Sequence, residues 1–180
     1  MHRTSTQRFA AAVMVAAVAV LAGCASPASR ESMSVPAVST AKKHPYSVSV
    51  EAKGGAETGA MDSSNIANAD LEAAIESSIT QSGLFKSIVQ GKGGDYELTV
   101  TVTQLSKPIF GASFTVMLEA GWVLIKATDK SIVLRQVVKS QHTASMGDSL
   151  VGVTRLRLAV EGAAQSNIAQ GMQAIAALNL

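Results

Sequence analysis

The fold is decided by residues 68–105, which read "NADLEAAIESSITQSGLFKSIVQGKGGDYELTVTVTQL". In the first part, apolar residues recur every three to four positions as far as Ile79, and Gly83 follows as a residue suited to end a helix. From Tyr96 the apolar residues instead alternate with polar ones, which is the period of a strand with one buried face. A helix followed by such a strand predicts a sheet with helices on one side.

Periodic sequence extends on both sides of this stretch. Further strands are expected at residues 46–52, 112–127 and 131–145, the last two as a hairpin, and a long amphipathic helix is expected at 150–178. Gly162 and Gly171 interrupt that helix at a cost of about 1 kcal/mol each relative to alanine, which favours close packing against the sheet. The predicted fold class is α+β, a two-layer sandwich in the order β-α-β-β-β-β-α, with a mostly antiparallel sheet and two helices on one face.

The amino-terminal segment has the layout of a secretory signal peptide. Arg3 and Arg8 precede 14 uncharged residues, 9–22, rich in alanine and valine. As a helix this run would extend roughly 21 Å, short of the roughly 30 Å of a bilayer core, so it predicts a signal and not a membrane span. The closing "LAGC", residues 21–24, resembles the lipobox of bacterial lipoproteins, in which a peptidase cuts before a cysteine that has received a diacylglyceryl group.

That resemblance implies that residues 1–23 are a signal peptide and that Cys24 carries acyl chains, palmitate among them, which bind a membrane. The alternative is a plain signal peptide beside an unmodified cysteine. In lipoproteins of Gram-negative bacteria an aspartate after the cysteine commonly retains the protein at the inner membrane. Ala25 stands there in this chain, so the implied location is the outer membrane, facing the periplasm.

The division into domains follows from composition. Residues 24–45 are rich in serine, alanine and proline and have no period, so they are predicted to be a flexible tether. Residues 46–180 are predicted to form a single domain, which is what 157 residues after the signal can support. Cys24 is the only cysteine, so no internal disulfide can form, and the core alone must hold the domain.

The charged residues and histidines exclude several classes of function. From Cys24 onward the chain has 13 basic and 13 acidic residues, so no basic patch indicates a nucleic acid partner. His2 lies in the signal and His44 in the predicted tether, and His142 alone does not make a metal site, so neither a metal nor a cofactor is expected. The sequence "GDSLVG" misses the spacing of a nucleophile elbow and is expected to start the last helix, with Asp148 or Ser149 as cap.

A second resemblance lies within residues 66–103. The sequence "SGLFKSI", a glycine-rich turn and then "DYELTVTV" is similar to the amino-terminal domain of TolB, the curli-secretion lipoprotein, lipoprotein activators of penicillin-binding proteins and auxiliary lipoproteins of lipid transporters. The distinctive residues are Ser82, Gly83, Leu84, Phe85, Asp95 and Tyr96. The resemblance implies an envelope accessory and interaction domain, and it carries over no catalytic residue.

Together these observations predict a non-catalytic envelope lipoprotein whose domain binds a protein or lipid partner in the periplasm. The alternative is a small envelope hydrolase or transferase that uses Ser149 and His142. One candidate for the partner contact is "SKPIFGA", residues 106–112, a connection that contains Ile109 and Phe110. These two side chains either fold back over the end of the core or stay exposed and contact a partner.

Overall fold

The structure is a computed structural model that describes residues 25–35, 42–59 and 62–180. Its elements are helix α1 (Arg30–Met33), strand β1 (His44–Lys53), helix α2 (Asn68–Ser82), strands β2 (Phe85–Ile88), β3 (Tyr96–Ser106), β4 (Phe114–Lys126) and β5 (Ile132–Ala144), and helix α3 (Gly152–Ala176). The predicted order of elements is confirmed, with the short helix α1 added before it. Within the described ranges, no helix is both long enough and apolar enough to cross a bilayer.

The five strands form one mixed sheet in the order β2-β1-β3-β4-β5. Strand β1 pairs in parallel with both β2 and β3. Helix α2 carries the chain back to the end where β1 began, so that β2 runs parallel to β1, and β3 keeps the direction of β2 on the other side of β1. The pairs β3–β4 and β4–β5 are antiparallel and long. The predicted two-layer α+β fold is therefore confirmed, and the parallel pairs are confined to the amino-terminal half of the sheet.

The core lies between one face of the sheet and the helices. Strand β4 shows the alternation most clearly, since every second residue from Phe114 to Leu124 is buried. Ile75 of α2 and Val160 of α3 are both fully buried in this layer, as their helical spacing predicts. The opposite face of the sheet is exposed and mixed: it carries a pair of threonine hydroxyls, an ion pair between Glu119 and Lys139 at 2.8 Å, and the half-exposed apolar side chains of Met117 and Val137.

Two glycines let α3 lie close to the sheet. A Cβ atom on Gly171 would be 2.4 Å from the indole of Trp122, and one on Gly162 would be 2.3 Å from the ring of His142. A buried hydrogen bond of 2.9 Å from Trp122 Nε1 to Asn167 Oδ1 joins the same surfaces. The close packing predicted from the glycines in this helix is therefore observed.

The amino-terminal part of the predicted tether differs from the prediction. Ala28 and Met33 are buried in the core, and the Ser29 amide donates a 2.9 Å hydrogen bond to Glu161 of α3. His44 is buried as well and begins strand β1. Alanine, serine and methionine carry no period over so short a segment, and it is the surface formed by α2 and α3 that gives them a place to pack. Residues 25–35 and His44 thus belong to the domain.

Candidate functional site

Two loops meet at one end of the sheet. Residues 107–113 connect β3 to β4, and residues 145–151 connect β5 to α3. Phe114 pairs with Ala144 in the sheet, so both loops leave the sheet at the same end. In the first loop Ile109 is 92% exposed and Phe110 is 83% exposed. Of the two arrangements predicted for these side chains, the structure therefore shows the exposed one.

The second loop adds three exposed apolar side chains to the first. Met146, Leu150 and Val151 all extend into solvent, and Leu150 is 81% exposed. We call the set Ile109, Phe110, Met146, Leu150 and Val151 the apolar tip. The predicted start of the last helix was wrong, because α3 begins at Gly152 and has no side-chain cap. Asp148, a predicted cap, instead accepts hydrogen bonds from the amide and hydroxyl of Ser145.

Arg155 ties the two loops together. Its Nη1 donates to the carbonyl oxygens of Ser149 at 2.9 Å and Leu150 at 3.1 Å, and its Nη2 donates to the carbonyl of Gly111 at 3.4 Å. The guanidinium also lies 5.3 Å from the centre of the Phe114 ring, within the range of a cation–π contact. The side chain is nearly fully buried, so the apolar tip rests on an ordered base.

The amino-terminal segment reaches the same end of the molecule. Lys107 Nζ donates to the Ser64 carbonyl at 2.9 Å and also contacts Asn65 Oδ1. The Ser64 hydroxyl in turn donates a 2.8 Å hydrogen bond to the carbonyl of Ser26. Partial burial lowers the pKa of Lys107, and the negative charge of Asp62 partly opposes this change. Ser26 is thus fixed beside the loop that carries Ile109.

Ser149 and His142 do not form a nucleophile–base pair. The Ser149 hydroxyl accepts a 3.2 Å hydrogen bond from the Val151 amide and lies 3.5 Å from the Val151 carbonyl, and within residues 62–180 no hydrogen bond joins it to His142. The His142 ring packs over Gly162. The pKa of the neighbouring Asp148 carboxyl is lowered, first by its hydrogen bonds from Ser145 and to a lesser extent by the charge of His142.

The described ranges hold no group of three or more histidine, cysteine, aspartate or glutamate side chains placed to bind a metal. Cys24, the predicted lipidation site, lies outside the described residues, as does the run 9–22. The distinctive residues of the second resemblance have structural roles. Gly83 ends α2 in the left-handed conformation, and Leu84, Phe85 and Tyr96 are buried.

Sequence reasoning missed four residues of this end of the molecule. Leu150 continues the apolar spacing of α3, so its period alone placed it on the buried face of a helix that begins two residues later. Met146 and Val151 gave no periodic signal. Arg155 is a charged residue near the start of the helix, and its burial is explained by carbonyls of the preceding loop, by the Gly111 carbonyl of a loop distant in sequence, and by the Phe114 ring.

No protein-family model and no curated protein matches the sequence. Solved structures do match. Protein XCC0632 from Xanthomonas campestris, of the family model DUF330, is 15% identical with a TM-score of 0.60, and the match covers 76% of this chain and 88% of that one. The hypothetical protein CT253 from Chlamydia trachomatis is 6% identical with a TM-score of 0.52, over 73% and 98% of the two chains.

A third similar structure is the dodecamer of a PelC point variant from Paraburkholderia phytofirmans. Its chain is 16% identical with a TM-score of 0.50, and the match covers 81% of this chain and 95% of that one. At such identities the likeness extends to the fold and not to ligands or assembly. The α+β sandwich of this chain is therefore a fold that it shares with proteins of several bacteria.

Proposed function

We propose that this protein is a non-catalytic lipoprotein of the bacterial envelope, anchored by acyl chains on Cys24, and that its domain is an accessory module which binds a protein or lipid partner. The observation that most supports the anchoring is that Ser26 is held at the surface of the domain by Ser64. Ser26 is hydrogen-bonded to the domain two residues after the cysteine that ends "LAGC".

Ser26 lies only two positions after Cys24 along the chain, so the acyl chains would be attached close to the domain. Two extended residues span about 7 Å, whereas a flexible tether of about 20 residues has an end-to-end distance on the order of 25 Å. Acylation of Cys24 therefore holds the domain against the bilayer surface. More than one acyl chain gives stable anchoring, since each buried methylene contributes about 0.8 kcal/mol.

The test is the chemical state of Cys24 in cells. Mass spectrometry of the mature protein should show a chain that starts at residue 24 and carries fatty acyl mass. A Cys24→Ser variant should remain unprocessed, and a Ser26→Ala variant, the matched control, should still be cut and acylated. A mature wild-type chain with a free Cys24 thiol would contradict the proposal.

The proposed outer membrane location has its own test. Ala25→Asp places the retention residue of Gram-negative lipoproteins after Cys24, so the variant should move to the inner membrane fraction on a sucrose gradient. Ala25→Ser, the control, should stay with the outer membrane. Wild-type protein found with the inner membrane would contradict the location while leaving the acylation intact.

The surroundings of Ser149 support the non-catalytic part of the proposal, because its hydroxyl is bonded to the Val151 amide and not to His142. A Ser149→Ala and His142→Ala double variant should complement a deletion strain as well as wild type does. Loss of complementation at unchanged protein level and membrane fraction would favour the hydrolase or transferase instead.

A further inference from the structure

We propose that the apolar tip inserts into the same bilayer that holds the acyl chains, so that membrane lipid is the ligand of Ile109, Phe110 and Leu150. This inference rests on the proposed acylation of Cys24. It assigns a binding surface, a ligand class and an orientation to the domain.

The course of the amino-terminal segment is the first argument. Ser29 contacts Glu161 in the middle of α3, and the Ser34 carbonyl accepts a hydrogen bond from Gln165, one turn further along. From Ser34 back to Ser26 the segment therefore runs toward the amino-terminal end of α3. Ser26 there bonds to Ser64, whose carbonyl accepts a hydrogen bond from Lys107. The chain therefore approaches Cys24 at the end of the molecule that carries the apolar tip.

The polarity of the two ends of the sheet is the second argument. The tip exposes five large apolar side chains. At the opposite end, the β4–β5 hairpin exposes Thr128, Asp129 and Lys130 at its turn, with Ile132 at its base 48% exposed. Strand β4 has 13 residues and so extends about 43 Å between the two ends. An anchored domain with one apolar and one polar end is expected to stand on the membrane with the hairpin in the periplasm.

The electrostatics of the tip indicate which forces bind it. Lys107 is bonded to the 63–65 segment and Arg155 is buried beneath the loops. Asp62, beside Lys107, and Asp148, in the second loop, carry the opposite charge close by. A surface of this kind is held by burial of apolar side chains and not by attraction to anionic headgroups, so its insertion should not depend on salt.

Arg155 holds the two loops of the apolar tip in a fixed arrangement. Its hydrogen bonds fix the carbonyls of Gly111 and Leu150 relative to each other before any ligand binds. Two loops that are already ordered lose little conformational freedom on insertion. The exposed side chains on them are therefore available as a preformed apolar surface.

The experiment uses the mature acylated protein, purified from membranes and reconstituted into vesicles of phosphatidylethanolamine and phosphatidylglycerol. Phe110→Cys and Leu150→Cys each receive an environment-sensitive fluorophore, because acylation leaves no free thiol at Cys24. Thr128→Cys in the hairpin and Val137→Cys, an exposed apolar position on the outer face of the sheet, are the controls. Quenching is measured with nitroxide-labelled lipid and with aqueous iodide, at low and high salt.

We expect labels at Phe110 and Leu150 to be quenched several-fold more strongly by nitroxide lipid than the control labels, and several-fold less by iodide, at both salt concentrations. Vesicle-bound, acylated protein with these labels open to iodide would overturn the inference and leave the proposed function standing. Labels shielded from iodide but not quenched by lipid would also overturn it, because a protein would then cover the tip. A chain that does not float with vesicles and takes a second label at Cys24 would refute both.

Discussion

Gly171 lies where α3 crosses the indole of Trp122, and the structure shows which side chain its missing Cβ makes room for. In an isolated helix this residue is unfavourable, because glycine loses more backbone freedom than alanine. Against Trp122 the missing side chain is what lets helix and sheet approach, since an added Cβ would be 2.4 Å from the ring. Gly171 is a small residue in tight contact with its neighbours, whereas Ile109 and Phe110 are large apolar residues whose side chains are almost fully exposed.

Gly171→Ala is therefore expected to destabilise the domain although it improves helix propensity. Because a Cβ would lie 2.4 Å from the rigid indole, the clash should cost about 3 kcal/mol, the upper end of the range for overpacking, against the roughly 1 kcal/mol gained by the helix. Denaturant unfolding measures the difference. Gly147→Ala in an exposed turn is the control and should stay within about 0.5 kcal/mol of wild type. A more stable Gly171→Ala protein would mean that α3 does not lie this close to the sheet.

The double change Ile109→Ser and Phe110→Ser should leave thermal unfolding nearly unchanged. Exposed side chains contribute little to stability, and substitutions of this kind stay within about 0.5 kcal/mol. Ile75→Ala is the comparison, a fully buried residue whose loss should cost about 2–5 kcal/mol. A melting temperature that falls as far in the double variant as in Ile75→Ala would show that the loop packs on the core.

Helix α3 combines a buried apolar face with polar contacts that fix its position on the sheet. Asn167 accepts from Trp122 Nε1 and donates to the Val138 carbonyl at 3.0 Å, so it bonds to both β4 and β5. Ser140 of β5 donates to the Ala163 carbonyl at 2.8 Å. The apolar period places the helix on the sheet, and these bonds set its position along the strands.

A charge on the buried face of α3 tests this layer. Val160→Asp should destabilise by several kcal/mol, because an unpaired carboxylate would be forced into the core. Val153→Asp is the matched control on the same helix, at a position that is 43% exposed, and should have a small effect. Equal melting temperatures for the two variants would contradict the assigned face.

The folded domain includes residues that have no helical or strand period. Residues 25–35 lie outside the predicted domain, yet they complete its core. Met33 is fully buried, and the Val35 amide donates to Ser78 of α2 at 2.9 Å. The same segment places Ser26 at the end of the molecule that carries the apolar tip. The stability of the domain therefore depends on this short stretch, and so does the orientation that we propose for it at the membrane.

Met33→Ala in the mature protein should cost about 2–5 kcal/mol of unfolding free energy, the range for a buried large side chain cut back to alanine. Ser32→Ala beside it is exposed and should leave the melting curve unchanged. Wild-type stability in Met33→Ala would mean that the segment is a free tether, as its composition first predicted.

Local sequence determined the elements, their order and the two-layer arrangement. The spacing of apolar residues in α2, β3 and α3 depends only on neighbours along the chain, and Gly83 ends α2 because it adopts a left-handed backbone at low cost. For the same reason the sequence marked Gly162 and Gly171 as places of close approach. The lipobox-like "LAGC" remains a prediction about Cys24 that lies outside the described residues.

Tertiary structure alone decided which strands neighbour β1, where residues 25–35 pack, and what surface the loops form. Strand period says which face is buried, but it does not name the pairing partner, so the two parallel pairs of β1 were not predictable from it. The apolar tip joins residues about 40 positions apart through the hydrogen bonds of Arg155 to Gly111 and Leu150. Such contacts form only once the sheet has brought the ends of β4 and β5 together, and no local pattern encodes them.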